Sequence, residues 1–241
     1  MEKKVTGFSL KMIAIVTMFI DHLAASMWEH GVFPWEYWVY YYMRVIGRMA
    51  FPIYCFLLVE GFMHTKSRTK YGGRLLLFAM LSEIPFTLAL GGDGTNVFFT
   101  LFTGLAVISI VDMILENFKF SSKKIWVKFL EWFIKGVFMM AVIAIGAILA
   151  DYVFVCDYGS AGVYAIVLLY FLRAFPMLAF TTATIALAVM SSSIEIYALF
   201  MLIPLYLYNG ERGKQVKYFF YAFYPVHLFL IWLLVFLENI L

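Results

Sequence analysis

The sequence predicts an all-α fold, a polytopic integral membrane bundle of about nine transmembrane helices with a cytoplasmic N-terminus. Of its 241 residues, 64% are hydrophobic and 14% are charged, whereas an ordinary soluble domain is about 25% charged. Apolar runs long enough to approach the thickness of a bilayer recur along the whole chain. One soluble core could not bury this much apolar surface, so the surplus must face lipid. The composition therefore excludes a soluble enzyme, a nucleic-acid-binding module and a secreted disulfide scaffold.

A helix needs about 20 apolar residues to cross a hydrocarbon core about 30 Å thick. Nine segments qualify, some of them short: 10–28, 43–63, 74–91, 97–115, 131–150, 159–173, 176–191, 194–208 and 217–238. Turn and charge signals fill the connections at 91–94, 121–124 and 209–213. The sixth and seventh segments are divided only by Arg173 and Pro176, so eight or ten spans remain open. The first run lacks a small-residue cleavage site and is expected to be a retained helix.

The distribution of basic residues predicts the orientation. With the N-terminus inside, every Lys and Arg except Arg44 and Arg48 falls on the inner side or at an inner helix end, out of 18 in the chain. This is the bias of cytoplasmic loops toward positive charge. The outer side instead holds the acids Glu29, Glu36, Asp93, Asp151 and Asp157. We therefore treat residues 1–241 as a single transmembrane domain with its C-terminus outside.

Arg44 and Arg48 lie at the outer end of the second segment, where this bias would not put them. Their spacing of four residues puts both on one helix face. An ionisable residue inside a membrane costs roughly 2.5–3.5 kcal/mol on insertion scales and indicates function by default. Snorkelling to the head groups is the alternative, and it suits Arg44 better than the deeper Arg48.

Four segments each carry an ionisable group to a similar depth. His22, beside Asp21, lies about 18 Å from the inner surface at 1.5 Å per residue. Arg48 reaches a comparable depth from the outer side, and Glu83 and His227 lie near the centres of the third and last segments. Such convergence is typical of a reaction or transport site inside a membrane.

Each of these groups also has a purely structural interpretation. Asp21 could only neutralise an arginine, and His22 or His227 could be packed between helices. Glu83 could satisfy backbone groups freed by Pro85, and Glu60 could reach water at the inner end of its helix. The two cysteines, Cys55 and Cys156, have no metal-like spacing, so we expect packing roles and no metal site.

Several short blocks of the sequence, taken in order, resemble the TraX family. They are Leu10–Ala14 with Ile20–His22, Gly47–Ile53 with Leu57–Gly61, Ser82–Phe86, Asn96–Leu101, Asp157–Gly159 with Gly162 and Val163, and Phe223–Leu228. The blocks run from residue 10 to about 230, with nothing recognisable between about 115 and 150. Each block alone is weak, but six in order are fairly specific.

The resemblance implies a multispanning acetyltransferase of the bacterial cytoplasmic (inner) membrane, acting on the N-terminal amine of pilin in the named member. The family is also similar to larger membrane enzymes that carry acyl groups from cytoplasmic acyl-CoA to acceptors on the outer side. Carried over by motif, it assigns function to Asp21 and His22, to Arg48, to Glu60 and to the block around Glu83. The acceptor of this chain stays open: a peptide N-terminus, or a small amine or hydroxyl compound.

Acetyl transfer from a thioester also fits the residues themselves. A histidine with a pKa near 6.5 can take the acceptor proton at neutral pH, so we predict His22, Asp21 and Glu83 as catalytic residues. Positive charge is needed for the oxyanion and the CoA phosphates, which makes Arg44, Arg48 and Arg74 candidates to contact acetyl-CoA. Glu60 and His227, which lie in blocks that resemble the family, complete the predicted set of cofactor-binding residues. Direct transfer is favoured, because no Cys or Ser stands beside a histidine, although an acyl-histidine intermediate stays open.

The phosphates are expected near the densest short inner cluster of cations, which comprises Lys66, Arg68, Lys70 and Arg74. The partners are thus acyl-CoA, an acceptor and the lipid bilayer, with no nucleic acid. The alternative is a transporter or proton-coupled permease that uses the same buried Asp, His, Arg and Glu as a relay. Transporters often contain internal repeats, and none is evident between the two halves of this sequence.

Overall fold

A computed structural model describes residues 3–92, 94–118, 124–214, 216–238 and 240. Asp93, Lys119 and Lys123, which enter the orientation argument, lie outside these described residues. The helices are α1 (Gly7–Glu29), α2 (Tyr37–Gly47), α3 (Ala50–His64), α4 (Arg68–Leu90), α5 (Val97–Asn117), α6 (Ile125–Ile148, continued by a π-helical turn Leu149–Val153), α7 (Gly159–Phe171), α8 (Pro176–Met190), a 3₁₀ segment Ser193–Met201 that runs into α9 (Leu202–Tyr206), and α10 (Lys217–Glu238).

The predicted fold class is confirmed, since the described chain is a bundle of apolar helices. A helix lies at each of the nine predicted segments. Six of them, by length and composition, are long enough to cross a membrane. Gly159–Phe171, Pro176–Met190 and Ser193–Tyr206 are apolar but shorter. At 1.5 Å per residue, such helices span less than a typical hydrocarbon core, so the count of nine crossings stays a prediction.

Contacts between helix ends agree with helices that alternate in direction. Val5 pairs with Tyr208 in an isolated bridge at the N-terminal end of the bundle, and Thr95 pairs with Cys156 at the opposite end. Arg68 at the start of α4 contacts Asp112 near the end of α5, with 2.6 Å between Nη2 and Oδ2. We call the first end inner and the second outer, following the distribution of basic residues.

Several helices begin earlier than the hydrophobic runs that predicted them. Helix α4 starts at Arg68 and α6 at Ile125, whereas apolar character alone placed these starts at 74 and 131. Their first turns carry basic side chains, which a hydrophobicity count assigns to loops although they continue the helix. Ser67 caps α4 through its side chain, which accepts a hydrogen bond from the Lys70 amide.

The segment predicted over 43–63 lies within one candidate span, Tyr37–His64, but a turn at Arg48 and Met49 divides this span into α2 and α3. Pro52 gives the physical reason: it stands in the first turn of α3, where its missing N–H costs nothing. The break turns Arg48 back along α2, so that its Nε donates to the Arg44 carbonyl oxygen at 3.3 Å. Both guanidinium groups consequently face the same side of α1.

Helices α5 and α7 form the centre of the bundle. Ile108, Val111, Val163, Ala165 and Ile166 are fully buried there. Helix α6 instead exposes much of its apolar surface, including Ile125, Phe129 and Met140, as expected of a helix that faces lipid. Helices α1, α2, α3 and α10 lie beside this centre and carry most of the groups predicted to be functional.

Candidate active site

A cavity of about 450 Å³ opens toward the inner end of the bundle. Residues of the N-terminal region, of the α3–α4 connection and of the segment after α9 surround its mouth. Cationic side chains predominate among its charged groups: Lys11, Lys66, Arg74, Arg212 and Lys214, together with Glu60. This cavity can therefore accommodate a polyanionic group on the inner side.

A second cavity, of about 460 Å³, lies toward the outer end. Its wall includes Asp21, His22, Arg44, Arg48 and Asp157. The two cavities share four lining residues, Met18, Tyr54, Val97 and Tyr224. These four residues mark the place where spaces that reach opposite ends of the bundle meet, and His22 lies on the outer side of that place.

Asp21 joins α1 to α2 through an ion-pair network inside the bundle. Its carboxylate accepts from Arg44 Nη1 at 2.8 Å and from Arg48 Nη2 at 2.8 and 3.0 Å. The other terminal nitrogen of Arg48 lies 3.1 Å from Oε1 of Glu195, whose side chain is fully buried. Two carboxylates thus balance two guanidinium groups, which is the condition for keeping such charges out of water.

A close approach between α1 and α2 makes this network possible. A Cβ atom at Gly47 would lie 2.1 Å from Oδ1 of Asp21, which is closer than any side chain allows. Glycine at this position lets the carboxylate lie directly against the α2 backbone, within reach of Arg44 and Arg48.

His22 and His227 are in direct contact although 205 residues separate them. Nδ1 of His22 lies 2.8 Å from Nε2 of His227, and the two rings are stacked with centroids 5.0 Å apart. Nδ1 of His227 lies 2.7 Å from the carbonyl oxygen of Phe223. The structure thus brings the two predicted histidines together, with His227 buried behind His22.

This geometry fixes the tautomers when both rings are neutral. A carbonyl oxygen only accepts, so Nδ1 of His227 must carry the proton. Nε2 of His227 is then the acceptor, and Nδ1 of His22 must be the donor. The remaining nitrogen, Nε2 of His22, therefore carries a lone pair and no proton, as a general base requires.

The inner cavity contains some of the predicted cofactor-binding residues. Glu60 and Arg74 line it, and Tyr208 Oη lies 3.5 Å from Oε2 of Glu60. Of the predicted inner cluster, Lys66 also lines the cavity, whereas Arg68 pairs with Asp112 and its guanidinium lies over the Phe62 ring.

A comparison with known families identifies the family of this chain. The family model described as TraX protein matches residues 7–235. The chain belongs to the TraX family. The resemblance predicted from the sequence blocks is confirmed, and the matched range spans nearly the whole bundle.

The chain is also similar to a curated protein over nearly its whole length. A probable fimbrial assembly protein, FimC of serogroup H1 from Dichelobacter nodosus, is 28% identical over 249 residues, and the match covers 94% of this chain and 94% of the relative. No solved structure matches the chain.

Glu83 of the TraX chain lies apart from the other predicted catalytic residues. Its Oε2 accepts from Nδ2 of Asn96 at 2.7 Å, and the same amide group donates to the Ala79 carbonyl oxygen at 2.7 Å. Glu83 lines neither of the two cavities described above. Its contacts tie α4 to the start of α5, where the Asn96 side chain also caps the helix.

Sequence reasoning missed Glu195 and Tyr158. The signal for Glu195 was present, because an ionisable residue inside the predicted span 194–208 falls under the rule that identified Asp21. Tyr158 stacks on Phe51 with ring centroids 3.6 Å apart, and its hydroxyl lies 3.4 Å from Nη1 of Arg48. Nothing in the local sequence around Tyr158 indicates this contact.

Asp157, in the connection before α7, is the other carboxylate on the outer cavity wall near this network. Desolvation by the surrounding protein raises the pKa of Asp157, and Asp21 acts in the same direction. Arg48 and Arg44 oppose this rise.

Proposed function

We propose that this TraX protein is an acyl-CoA-dependent acetyltransferase, most simply an N-acetyltransferase, in the bacterial cytoplasmic membrane. The observation that carries the proposal is the meeting of the inner and outer cavities at Met18, Tyr54, Val97 and Tyr224, next to His22. A donor from the cytoplasm and an acceptor from the membrane or beyond could reach one histidine from opposite sides.

Acetyl-CoA enters from the inner side in this proposal. Its phosphates need cationic partners, and the mouth of the inner cavity supplies Lys66, Arg74, Arg212 and Lys214. The narrower acyl-bearing arm then points toward Tyr54 and Tyr224. Arg212 and Lys214 join the predicted set because the segment after α9 folds against the N-terminus of α1, where the Gly7 amide donates to the Glu211 carbonyl oxygen at 2.7 Å.

His22 acts as the general base toward an acceptor in the outer cavity. Nε2 of His22 accepts a proton from the acceptor nitrogen or oxygen as that atom attacks the thioester carbonyl carbon. The C–S bond then breaks, and the same proton passes to the departing thiolate. Asp21 and Glu195 together balance the charges of Arg44 and Arg48, which fixes the charge of this wall.

The acceptor class follows from the family and from one relative. The resemblance implies acetylation of a pilin N-terminal amine, and the curated relative is called a probable fimbrial assembly protein. We therefore propose a peptide N-terminus as the first acceptor to test, with small amines or hydroxyl compounds as further candidates.

Binding of acetyl-CoA to the purified protein tests the donor half of the proposal. We expect saturable binding that weakens at least tenfold in an Arg74→Gln, Arg212→Gln double variant. Lys128→Gln is the matched control, since Lys128 is an exposed basic residue in the first turn of α6 and lines neither cavity. Equal weakening in the control, or none in the double variant, would remove the inner cavity as the donor site.

Acetyl-CoA binding also distinguishes the proposed acetyltransferase from the alternative function, transport. A transporter or proton-coupled permease could also use paired cavities and buried ionisable groups. Such a protein has no need of acetyl-CoA. Absence of acetyl-CoA binding by the folded wild-type protein would contradict the acetyltransferase proposal and favour transport.

A further inference from the structure

Tyr224 lies where the inner and outer cavities adjoin. It belongs to α10, is 3% exposed, and lines both the inner and the outer cavity. Its ring packs edge-on against His22, with centroids 5.7 Å apart, and against His227 at 5.6 Å. Tyr224 thus adjoins the base and the place where donor and acceptor would meet.

The hydroxyl of Tyr224 is buried, and its proton has no acceptor among the described residues. The backbone N–H of Val97 interacts with its oxygen, but an N–H is a donor and leaves the hydroxyl proton without an acceptor. A buried hydroxyl without a partner costs roughly 1–3 kcal/mol. An unpaired buried hydroxyl beside a cavity is expected to donate its hydrogen bond to an oxygen of a ligand bound there.

We propose that Tyr224 is a catalytic residue, whose hydroxyl donates a hydrogen bond to the thioester carbonyl oxygen and to the oxyanion that forms from it. This inference rests on the proposed acetyl transfer. As the acceptor amine attacks, the carbonyl π electrons move to oxygen, where Tyr224 stabilises them while His22 holds the amine proton. The electrons return when the C–S bond breaks, the thiolate takes the proton, and Tyr224 keeps its own proton throughout.

Other donors near this position are less suitable. Arg44 and Arg48 already donate to Asp21, and Arg48 also pairs with Glu195. Tyr54 lines both cavities too, but it is the Tyr224 ring that packs against both histidines. A donor aimed at developing charge in a site shielded from water contributes about 10²–10³-fold to kcat.

Infrared spectroscopy of bound acetyl-CoA tests this role without knowledge of the acceptor. The probe is acetyl-CoA labelled with ¹³C at the carbonyl, bound to the purified full-length protein. We expect its carbonyl stretch to shift to lower frequency in the wild-type complex and to return toward the free value in Tyr224→Phe. Tyr164→Phe is the matched control, because Tyr164 is half-buried on α7 and lines neither cavity; it should keep the shift.

The rate of acetyl transfer in membranes from the native host provides a second test. Tyr224→Phe should lower the rate of acetyl transfer about 10²–10³-fold, with acetyl-CoA affinity unchanged. A carbonyl shift that persists in Tyr224→Phe, or one lost instead in Tyr54→Phe, would overturn the assignment. If the wild-type protein binds no acetyl-CoA, the proposed function fails first; if it binds the ligand but shows no carbonyl shift, only the Tyr224 inference fails.

Discussion

At the scale of single residues, the hydrogen bonds of His227 distinguish the roles of the two histidines. The Phe223 carbonyl oxygen fixes the proton on Nδ1 of His227, and His227 in turn fixes the proton on Nδ1 of His22. From sequence alone either histidine could be the base, since both lie at similar depth. The contact depends on the rotation of α10 against α1, which local sequence does not determine. The structure favours His22, because its Nε2 is the nitrogen left without a proton.

Substitutions at the two histidines should therefore differ in effect. His22→Ala should lower acetyl transfer about 10²–10⁴-fold, since a positioned base contributes that much, while acetyl-CoA still binds. His227→Leu removes the acceptor for Nδ1 of His22, whereas His227→Gln keeps an acceptor oxygen and should retain more activity than His227→Leu. Rates in host membranes, normalised to the amount of folded protein, test this order. Near-normal turnover in His22→Ala would place the base elsewhere.

The two arginines should differ in their contribution to stability. Arg48 binds both Asp21 and Glu195, and Glu195 is fully buried, whereas Arg44 binds Asp21 and is the more exposed of the two. Arg48→Ala should cost about 3–5 kcal/mol, because it removes the ion partner of a buried carboxylate. Arg44→Ala should cost less. Thermal denaturation of both purified variants tests this order, and a lower Tm for Arg44→Ala than for Arg48→Ala would contradict it.

At the scale of elements, the positions of the apolar helices could be predicted from the sequence more accurately than the residues at which they begin. The starts of α4 and α6 could not be predicted from hydrophobicity, because their first turns contain basic residues. The only clear sequence signal for the break between α2 and α3 is Pro52. Pairing with an arginine was the structural alternative for Asp21, based on the general cost of burying a charge, and the structure shows Asp21 paired with both Arg44 and Arg48. The partner of Glu83 could not be predicted, because Asn96 reaches it only through the turn that joins α4 to α5.

The contact between α1 and α2 gives a prediction at this scale. Gly47→Ala should destabilise the protein and disturb acetyl transfer, because the new Cβ would collide with the Asp21 carboxylate. Gly73→Ala is a matched control within α4, where a Cβ would meet nothing within 4 Å, and it should be neutral or stabilising by up to about 1 kcal/mol. Thermal denaturation compares the two. Equal stability of both variants would show that the approach of α1 to α2 is not as close as described.

At the scale of the whole molecule, two cavities of similar size adjoin at the four residues that line both of them, Met18, Tyr54, Val97 and Tyr224. Composition and the distribution of charge predicted a membrane bundle and its orientation. The cavities could not be predicted, since they arise from packing between segments distant in sequence. Which cavity opens toward the cytoplasm and which toward the outside depends on the orientation of the bundle in the membrane. The orientation therefore needs a test of its own.

Reporter fusions test the predicted orientation. A fusion after Asn209 should report the cytoplasmic side, because this residue follows α9 and its amide donates to the carbonyl oxygen of Val5, close to the N-terminus. A fusion after Glu238, at the end of α10, should report the outer side. Cytoplasmic activity of the second fusion would contradict nine crossings and would reverse the access assigned to the last helix.

The central claim is that this TraX protein transfers acetyl groups by means of His22. Mass spectrometry of acetylated peptides and small molecules tests it most directly, in host cells that carry the wild-type gene, no gene, or His22→Ala. The account predicts at least one acetylated product that is present with the wild type and absent from the other two, although the variant protein is folded in the membrane. An identical set of acetylated products in all three strains would contradict it.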